Sequence, residues 1–229
     1  MSEIKLLPGS LEFLKQLKKN NNRDWFAKHK EKYIEELAQI EAFADALLFE
    51  MNKHDTLETP SGKKSLHRIY RDTRFSKDKT PYKTNWSGGF KRSEKKRRGG
   101  YYFHIESGNT FLAGGFWGPE PKDLKRIRDE FAHDASLIRK ILKSKSIVST
   151  FGGLSGEQVK TTPKGFSSDN SAIDLIRYKQ FYFIHKFTDK EVLSDTFLKQ
   201  ANETFKKMRP FLDYMSEVLT TDLNGISTI

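Results

Sequence analysis

Cysteine is absent from all 229 residues. That excludes disulfides, thiolate metal sites and thiol nucleophiles. No stretch approaches the ~20 apolar residues of a membrane-spanning helix. Residues 1–9 hold no apolar segment of the kind that drives secretion, so a cytoplasmic protein that does not engage membrane is expected. Proline and glycine are few, at 7 and 15, and aromatics reach 13%, a composition unlike that of disordered chains. Hydrophobic residues are also scarce, at 36%, and the 18 phenylalanines supply the missing core volume. Phosphate-loop glycine spacing and the Gly-x-Ser-x-Gly elbow are both missing. The six histidines, at 29, 54, 67, 104, 133 and 185, form no helical metal pair, and no cofactor or metal is expected. His67, His104 and His185 fall on expected strands, where lone histidines usually serve structure.

Positive charge, by contrast, is abundant and localised. The chain has 41 Lys and Arg against 30 Asp and Glu. Between residues 61 and 100 lie 14 of those basic residues and only 3 of the acidic ones, which leaves 27 of each elsewhere. One forty-residue segment therefore carries the whole excess, and such a field attracts anions. A nucleic acid, a phosphometabolite or an acidic protein could each answer it.

Periodicity predicts helices at both ends and strands between them. Ser10 reads as the cap of a short helix through Leu11, Leu14 and Leu17. Asn22 or Asp24 caps a long amphipathic helix running from Trp25 to about Lys53. His67–Arg71 reads as a strand, and another ends near Phe90. Tyr101–Glu106 and Thr110–Trp117 flank the turn Ser107-Gly108-Asn109. Pro121 opens a helix continuing to about Leu142. Gln158–Thr162 reads as a short strand, 174–176 as a brief helix and Tyr178–Phe187 as a strand. Residues from Lys190 to about Leu219 are helical, with Pro210 kinking or splitting them. The pattern implies an α+β fold: a mostly antiparallel central sheet, a long N-terminal helix and C-terminal helices packed against it.

The segment from His67 to Asn85 is the most informative. Along a strand, Arg68, Tyr70, Asp72 and Arg74 would share one face, and His67, Ile69, Arg71 and Thr73 the other. Guanidiniums flanking a carboxylate need pairing or a bound anion, and Arg forks suit phosphate oxygens. Asp72 would orient Arg68 or Arg74. Ser76–Lys79 reads as a turn in which Asp78 bonds its own backbone. Pro81 holds Thr80 extended, so the turn can aim Lys77, Lys79 and Lys83 at one point. A solvated edge strand and loop is the competing reading. The aromatics of this region are expected mainly in the core, with Tyr82 or Trp86 the best candidates for an exposed stacking surface. The run Lys91–Arg98 reads as a solvated hairpin loop, with a nucleic-acid patch as its alternative.

Several motifs occur in order: Asn20–Phe26, Arg68–Lys83, Gly100-Tyr101-Tyr102, Gly114–Trp117 and Thr162–Phe166. Together they resemble the bacterial family called domain of unknown function 2461. The resemblance covers nearly the whole chain, apart from Lys91–Arg98 and the tail after Leu219. It implies one domain over residues 1–229, and it supplies no activity, cofactor or catalytic residue.

The expected function is binding of a phosphate-bearing ligand, nucleic acid included. Arg68, Arg71 and Arg74 would contact phosphate. Lys77, Lys79 and Lys83 would supply field, Asp72 and Asp78 would orient them, and Tyr82 would stack. The alternative is an enzyme acting on a small phosphorylated or anionic substrate through the same cluster, with His67 or Asp72 carrying the proton. A third reading is a basic face meeting an acidic protein.

Overall fold

The structure is a computed structural model that describes residues 4–92 and 96–229. The chain divides into two compact units. The first comprises residues 1–90, 102–112 and 186–203, and the second comprises 91–101, 113–185 and 204–229.

In the first unit, Pro8 opens α1 (Pro8–Lys19), which buries Leu11, Phe13, Leu14 and Leu17. Pro is suited to the first helical position because its missing N–H would have had no partner there. Leu7 occupies the cap position expected for Ser10. Ser10 lies one turn inside, and its hydroxyl donates to the Leu7 carbonyl. The Asn22 side chain caps α2 (Arg23–Lys28) by accepting from the Trp25 N–H. The expected long helix is broken at His29, which leaves helical geometry, and α3 (Lys30–Met51) then starts afresh. The break is bonded locally, since His29 Nδ1 contacts the Trp25 carbonyl at 2.8 Å. Ser61 caps the short α4 (Gly62–Ser65). Gly62 presses against α3, where a Cβ would strike the backbone of Glu41 and Ala44. Phe197 stacks on Phe43 at 5.3 Å and takes Phe187 edge-on, closing this core.

Four strands form one antiparallel sheet in the order β1 (Trp86–Lys91), β2 (Gly100–Ile105), β3 (Thr110–Phe116), β4 (Phe181–Phe187). With helices in both terminal regions, the α+β expectation holds. Along β2, Tyr101, Phe103 and Ile105 are buried, while Tyr102 and His104 alternate onto the other face.

In the second unit, the helix expected to run to Leu142 is divided into α5 (Pro121–His133) and α6 (Ser136–Leu142). Asp134 causes the interruption, because its carboxylate bonds the Ser136 N–H and hydroxyl and so favours a turn. Next come α7 (Lys145–Phe151) and α8 (Ile173–Ile176). Gln158–Thr162 is no strand; isolated bridges join Ser155 to Tyr182 and Gln158 to Tyr178. Phe131, Phe181, Phe183 and Phe211 meet edge-on in this unit's core. A short α9 (Asp189–Val192) in the first unit is held by a capping box between Thr188 and Glu191. α10 (Phe197–Thr220) passes through Pro210 without dividing, since the Pro210 ring is exposed while Met208, Phe211 and Leu212 are fully buried. Among the described residues no helix is long and apolar enough to cross a membrane.

Candidate anion-binding site

The predicted site lies in the first unit, on a ribbon less regular than a strand pair. The Arg71 N–H donates to the Pro81 carbonyl and the Lys83 N–H to the Ile69 carbonyl, at 2.9 and 2.7 Å. Isolated bridges pair Leu66 with Gly88 and Tyr70 with Tyr82. The expected strand at His67–Arg71 is therefore an extended segment with no continuous ladder. The outward backbone groups of Tyr82 find a side chain in place of a third strand. The Asn21 amide donates to the Tyr82 carbonyl at 2.9 Å and accepts from its N–H at 3.1 Å.

Residues 72–80 close this ribbon as a loop knotted by its own charges. Arg74 grips Asp72 through Nε and Nη2 at 3.0 and 2.7 Å, so Asp72 orients Arg74. That grip holds the Asp72 carboxyl below its usual range. Asp78 accepts the Thr80 N–H at 2.9 Å, the expected bond to its own backbone, and also receives Arg71. The Thr80 amide, the Arg71 guanidinium and the Thr80 hydroxyl together pull the Asp78 carboxyl down to about 2. Arg71 Nη1 also donates to the Thr80 hydroxyl. Lys79 Nζ turns back onto the Thr73 carbonyl at 2.8 Å. Three of the six predicted cations are thus engaged within the loop. Arg68, Lys77 and Lys83 have no side-chain partner among the described residues.

Two open clefts lie side by side on this ribbon and share Arg71, Lys83 and Asn85. Each holds close to 400 Å³, about 380 and about 390, within the range of small-ligand pockets. Beyond the shared wall, the first is lined by Lys18, Asn21, Asp78, Thr80, Tyr82 and Thr84. The second adds His67, Asp72, Ser87 and Tyr102. Burial and the Arg68 charge lower the Lys83 ammonium pKa. Burial and Lys83 lower that of His67. Asp72 and Asp78 stand in the cleft walls but are held by Arg74 and Arg71, and neither bonds Lys83; a bound anion would give that ammonium a partner.

Tyr82 also lines the first cleft, but not as an exposed ring. Tyr82 is buried and its ring stacks on Phe26 at 4.0 Å; Trp86 is buried and its indole N–H donates to the Ser10 carbonyl. Neither is the exposed ring expected from the sequence. The sheet core and α1 claim them, and the exposed rings are Phe75, 95% accessible at the loop, and Tyr70, at 55%. In the run Lys91–Arg98, residues 93–95 lie outside the described residues. The rest is not a plain solvated loop: the Arg92 side chain is fully buried against Asp213, and Arg98 pairs with Asp123. His185 contacts the Thr150 carbonyl, and no metal-binding group of three or more His, Asp or Glu occurs among the described residues.

The sequence reading passed over a polar chain that leads into the second cleft. His67 Nδ1 lies 3.4 Å from the Ser87 hydroxyl. Burial raises the Tyr102 hydroxyl pKa, and the neighbouring Ser87 side chain, in the same cleft wall, opposes that rise. Tyr102 lies 3.3 Å from His104 Nδ1, and His104 Nε2 lies 3.1 Å from Glu106 Oε2. Burial would raise the Glu106 carboxyl, but His104, Asn109 and Lys18 hold it below its ordinary range. Tyr102, His104 and Glu106 recur at every second position, so the alternation along β2 carried the signal.

The chain belongs to the family described as conserved hypothetical protein (DUF2461). Residues 9–214 match it, a span that includes the basic run 91–98 and covers both units. No curated protein and no solved structure matches the chain.

Proposed function

We propose that this protein binds a phosphate-bearing ligand in the paired clefts, with the phosphate on the wall formed by Arg71, Lys83 and Asn85. The observation that carries this reading is the state of Lys83. It is half-buried, faces both clefts, and has cationic neighbours but no side-chain partner among the described residues. A buried charge is normally paired, and leaving one unpaired is costly. A phosphate oxygen would complete it with a charge-assisted hydrogen bond, and the Asn85 amide can add a neutral donor. Arg71 is already fixed by Asp78 and Thr80. Its guanidinium is therefore presented in one orientation, which lowers the ordering cost of binding.

The test is titration of a fluorescently labelled single-stranded oligonucleotide across a salt series, with inorganic phosphate as competitor. Binding should weaken linearly in log–log form with a slope reporting the phosphates contacted, and phosphate should displace the probe. Lack of binding by both oligonucleotide and phosphate at low salt would overturn the proposal.

A further inference from the structure

We propose that the second cleft is catalytic and hydrolyses a phosphodiester, with His67 as general base and Lys83 as general acid. This rests on the binding reading above and assigns a substrate class and a reaction to the same site. Three features carry it.

The first is the direction of the chain from His67 to Glu106. Glu106 accepts hydrogen bonds from Asn109 and Thr84 and faces Lys18, so it is a carboxylate and must also accept from His104 Nε2. His104 Nδ1 is then an acceptor and takes the Tyr102 O–H. Ser87 shares the cleft wall with Tyr102, and with its O–H turned toward the Tyr102 oxygen it is left to accept the His67 Nδ1–H. Every member donates once along the chain, and the order ends on an anion. His67 is left as the tautomer whose Nε2 carries a lone pair, as a general base requires.

The second is the company His67 keeps. The groups facing it are Lys83, Arg71 and Asp72 from the ribbon and loop, Tyr102 from β2, and Tyr33 from α3. Burial first, and then Lys83 beside it, lower the imidazole pKa and favour the neutral form that accepts a proton. The crowded Lys83 ammonium gives up its proton more readily than a free lysine.

The third is the division of the space. A monoester needs room on one side of its phosphate. Here two adjoining clefts of similar volume share Arg71, Lys83 and Asn85. That fits a phosphate carrying two substituents, one in each cleft.

In the reaction, the water oxygen bonds to phosphorus and its proton passes to His67 Nε2. The bond from phosphorus to the departing ester oxygen breaks, and that oxygen takes a proton from Lys83. Arg71 balances charge on the phosphoryl oxygens. One water is consumed, and the products are a phosphomonoester and an alcohol. Solvent exchange returns the proton from His67 to Lys83. Tyr102, His104 and Glu106 are positioning residues acting through His67.

The experiment uses the full chain and bis(4-nitrophenyl) phosphate, following release of 4-nitrophenolate. Inorganic phosphate binding is measured in parallel. The variants are His67→Gln, Tyr102→Phe and, as a control, Lys96→Ala, all purified identically. Wild type should turn over, and His67→Gln should lose about 100-fold in kcat while binding phosphate at pH 8 within about twofold of wild type. Tyr102→Phe nearly conserves volume, so it tests the chain even if the histidine variant fails to fold. It should lower kcat more than it changes KM. It should also move the acidic limb of the pH–rate profile to lower pH, because cutting the link to Glu106 withdraws support from the imidazolium. Lys96→Ala should match wild type. Phosphate binding without turnover would overturn catalysis and leave the binding reading intact. Absence of phosphate binding would overturn both. Equal turnover by wild type and His67→Gln, or a Tyr102→Phe profile unmoved on the pH axis, would overturn the assigned roles.

Discussion

Lys83→Met isolates one charge with little collateral change. The bond from Lys83 to the Ile69 carbonyl comes from the backbone N–H, so the ribbon survives the substitution. Methionine keeps most of the aliphatic stem that packs along the clefts. What disappears is the ammonium. A hydrogen bond to a charged group contributes ~1.5–3 kcal/mol when well shielded. Lys83 is half exposed, so the lower part of that range applies, about 1–2 kcal/mol after screening. That corresponds to roughly 5–30-fold weaker phosphate binding. Lys96→Ala, at an exposed position, should cost less than about twofold at 0.15 M salt, where surface charges are screened. Calorimetric titration of inorganic phosphate into the three proteins reads the difference. A second readout comes from His67, whose pKa is lowered first by burial and then by Lys83. Removing the ammonium favours the imidazolium, so the NMR titration of His67 should shift upward in Lys83→Met. Equal affinity losses at 83 and 96 would refute a defined site and leave a diffuse basic surface. An unmoved His67 midpoint would refute the claim that the two groups share a cleft.

The knot of Arg71, Asp78 and Thr80 should resist acid. The Asp78 pKa is depressed to about 2, so the contribution of its ionised form to loop order is complete above the usual value near 3.8 and is lost as pH falls through about 2. The Thr80 amide shift, followed by NMR, should hold steady to about pH 3; a midpoint near 4 would contradict the clamp. In the second unit, Gly115 has φ +143°, and a Cβ there would lie 2.6 Å from Tyr182 Cα and closer still to the Phe181 carbonyl. Gly115→Ala combines ~1–3 kcal/mol of backbone strain with a comparable overpacking cost, about 4 kcal/mol in all. Urea unfolding should show a loss of that order, and a change below 1 kcal/mol would mean that β3 and β4 can part without penalty.

Sequence reading reached those parts of the molecule whose causes are local. The turn at Ser107–Asn109, the Asn22 cap and the Asp78 bond to its own backbone each need only a few neighbouring residues, and each forms, although the backbone-bonded turn lies at Thr73–Ser76 instead of Ser76–Lys79. The breaks at His29 and Asp134 were missed because the apolar period continues through them. A side-chain bond to a nearby backbone group outweighs it there. Pro210 failed as a stop for the opposite reason: its neighbours Met208, Phe211 and Leu212 are fully buried, and packing outweighs one lost backbone bond. The aromatics of this region are expected mainly in the core, and sitting among lysines in sequence makes Tyr82 or Trp86 the best candidate for an exposed ring. Their rings are buried by Phe26, Phe13 and Tyr33, contributed by helices some fifty residues or more upstream.

The charge pattern shows the same limit and locates the site by subtraction. Counting placed an excess of basic residues over 61–100, with its densest part at 91–98. Counting cannot see that Arg92 meets Asp213 and Arg98 meets Asp123, carboxylates that belong to later helices. Nor can it see that Arg74 and Arg71 are paired with Asp72 and Asp78 inside their own loop. Once these pairs and Lys79, which is held by the Thr73 carbonyl, are set aside, the cations of the motif without a side-chain partner among the described residues narrow to Arg68, Lys77 and Lys83. Only Lys83 of the three is both half-buried and set in a cleft wall. An exposed ammonium without a partner is hydrated and needs no explanation. A half-buried one that faces two clefts from a fixed ribbon has given up part of its hydration with no protein group in return. That asymmetry makes Lys83, rather than the longer run of lysines and arginines after it, the residue around which a bound phosphate is best placed.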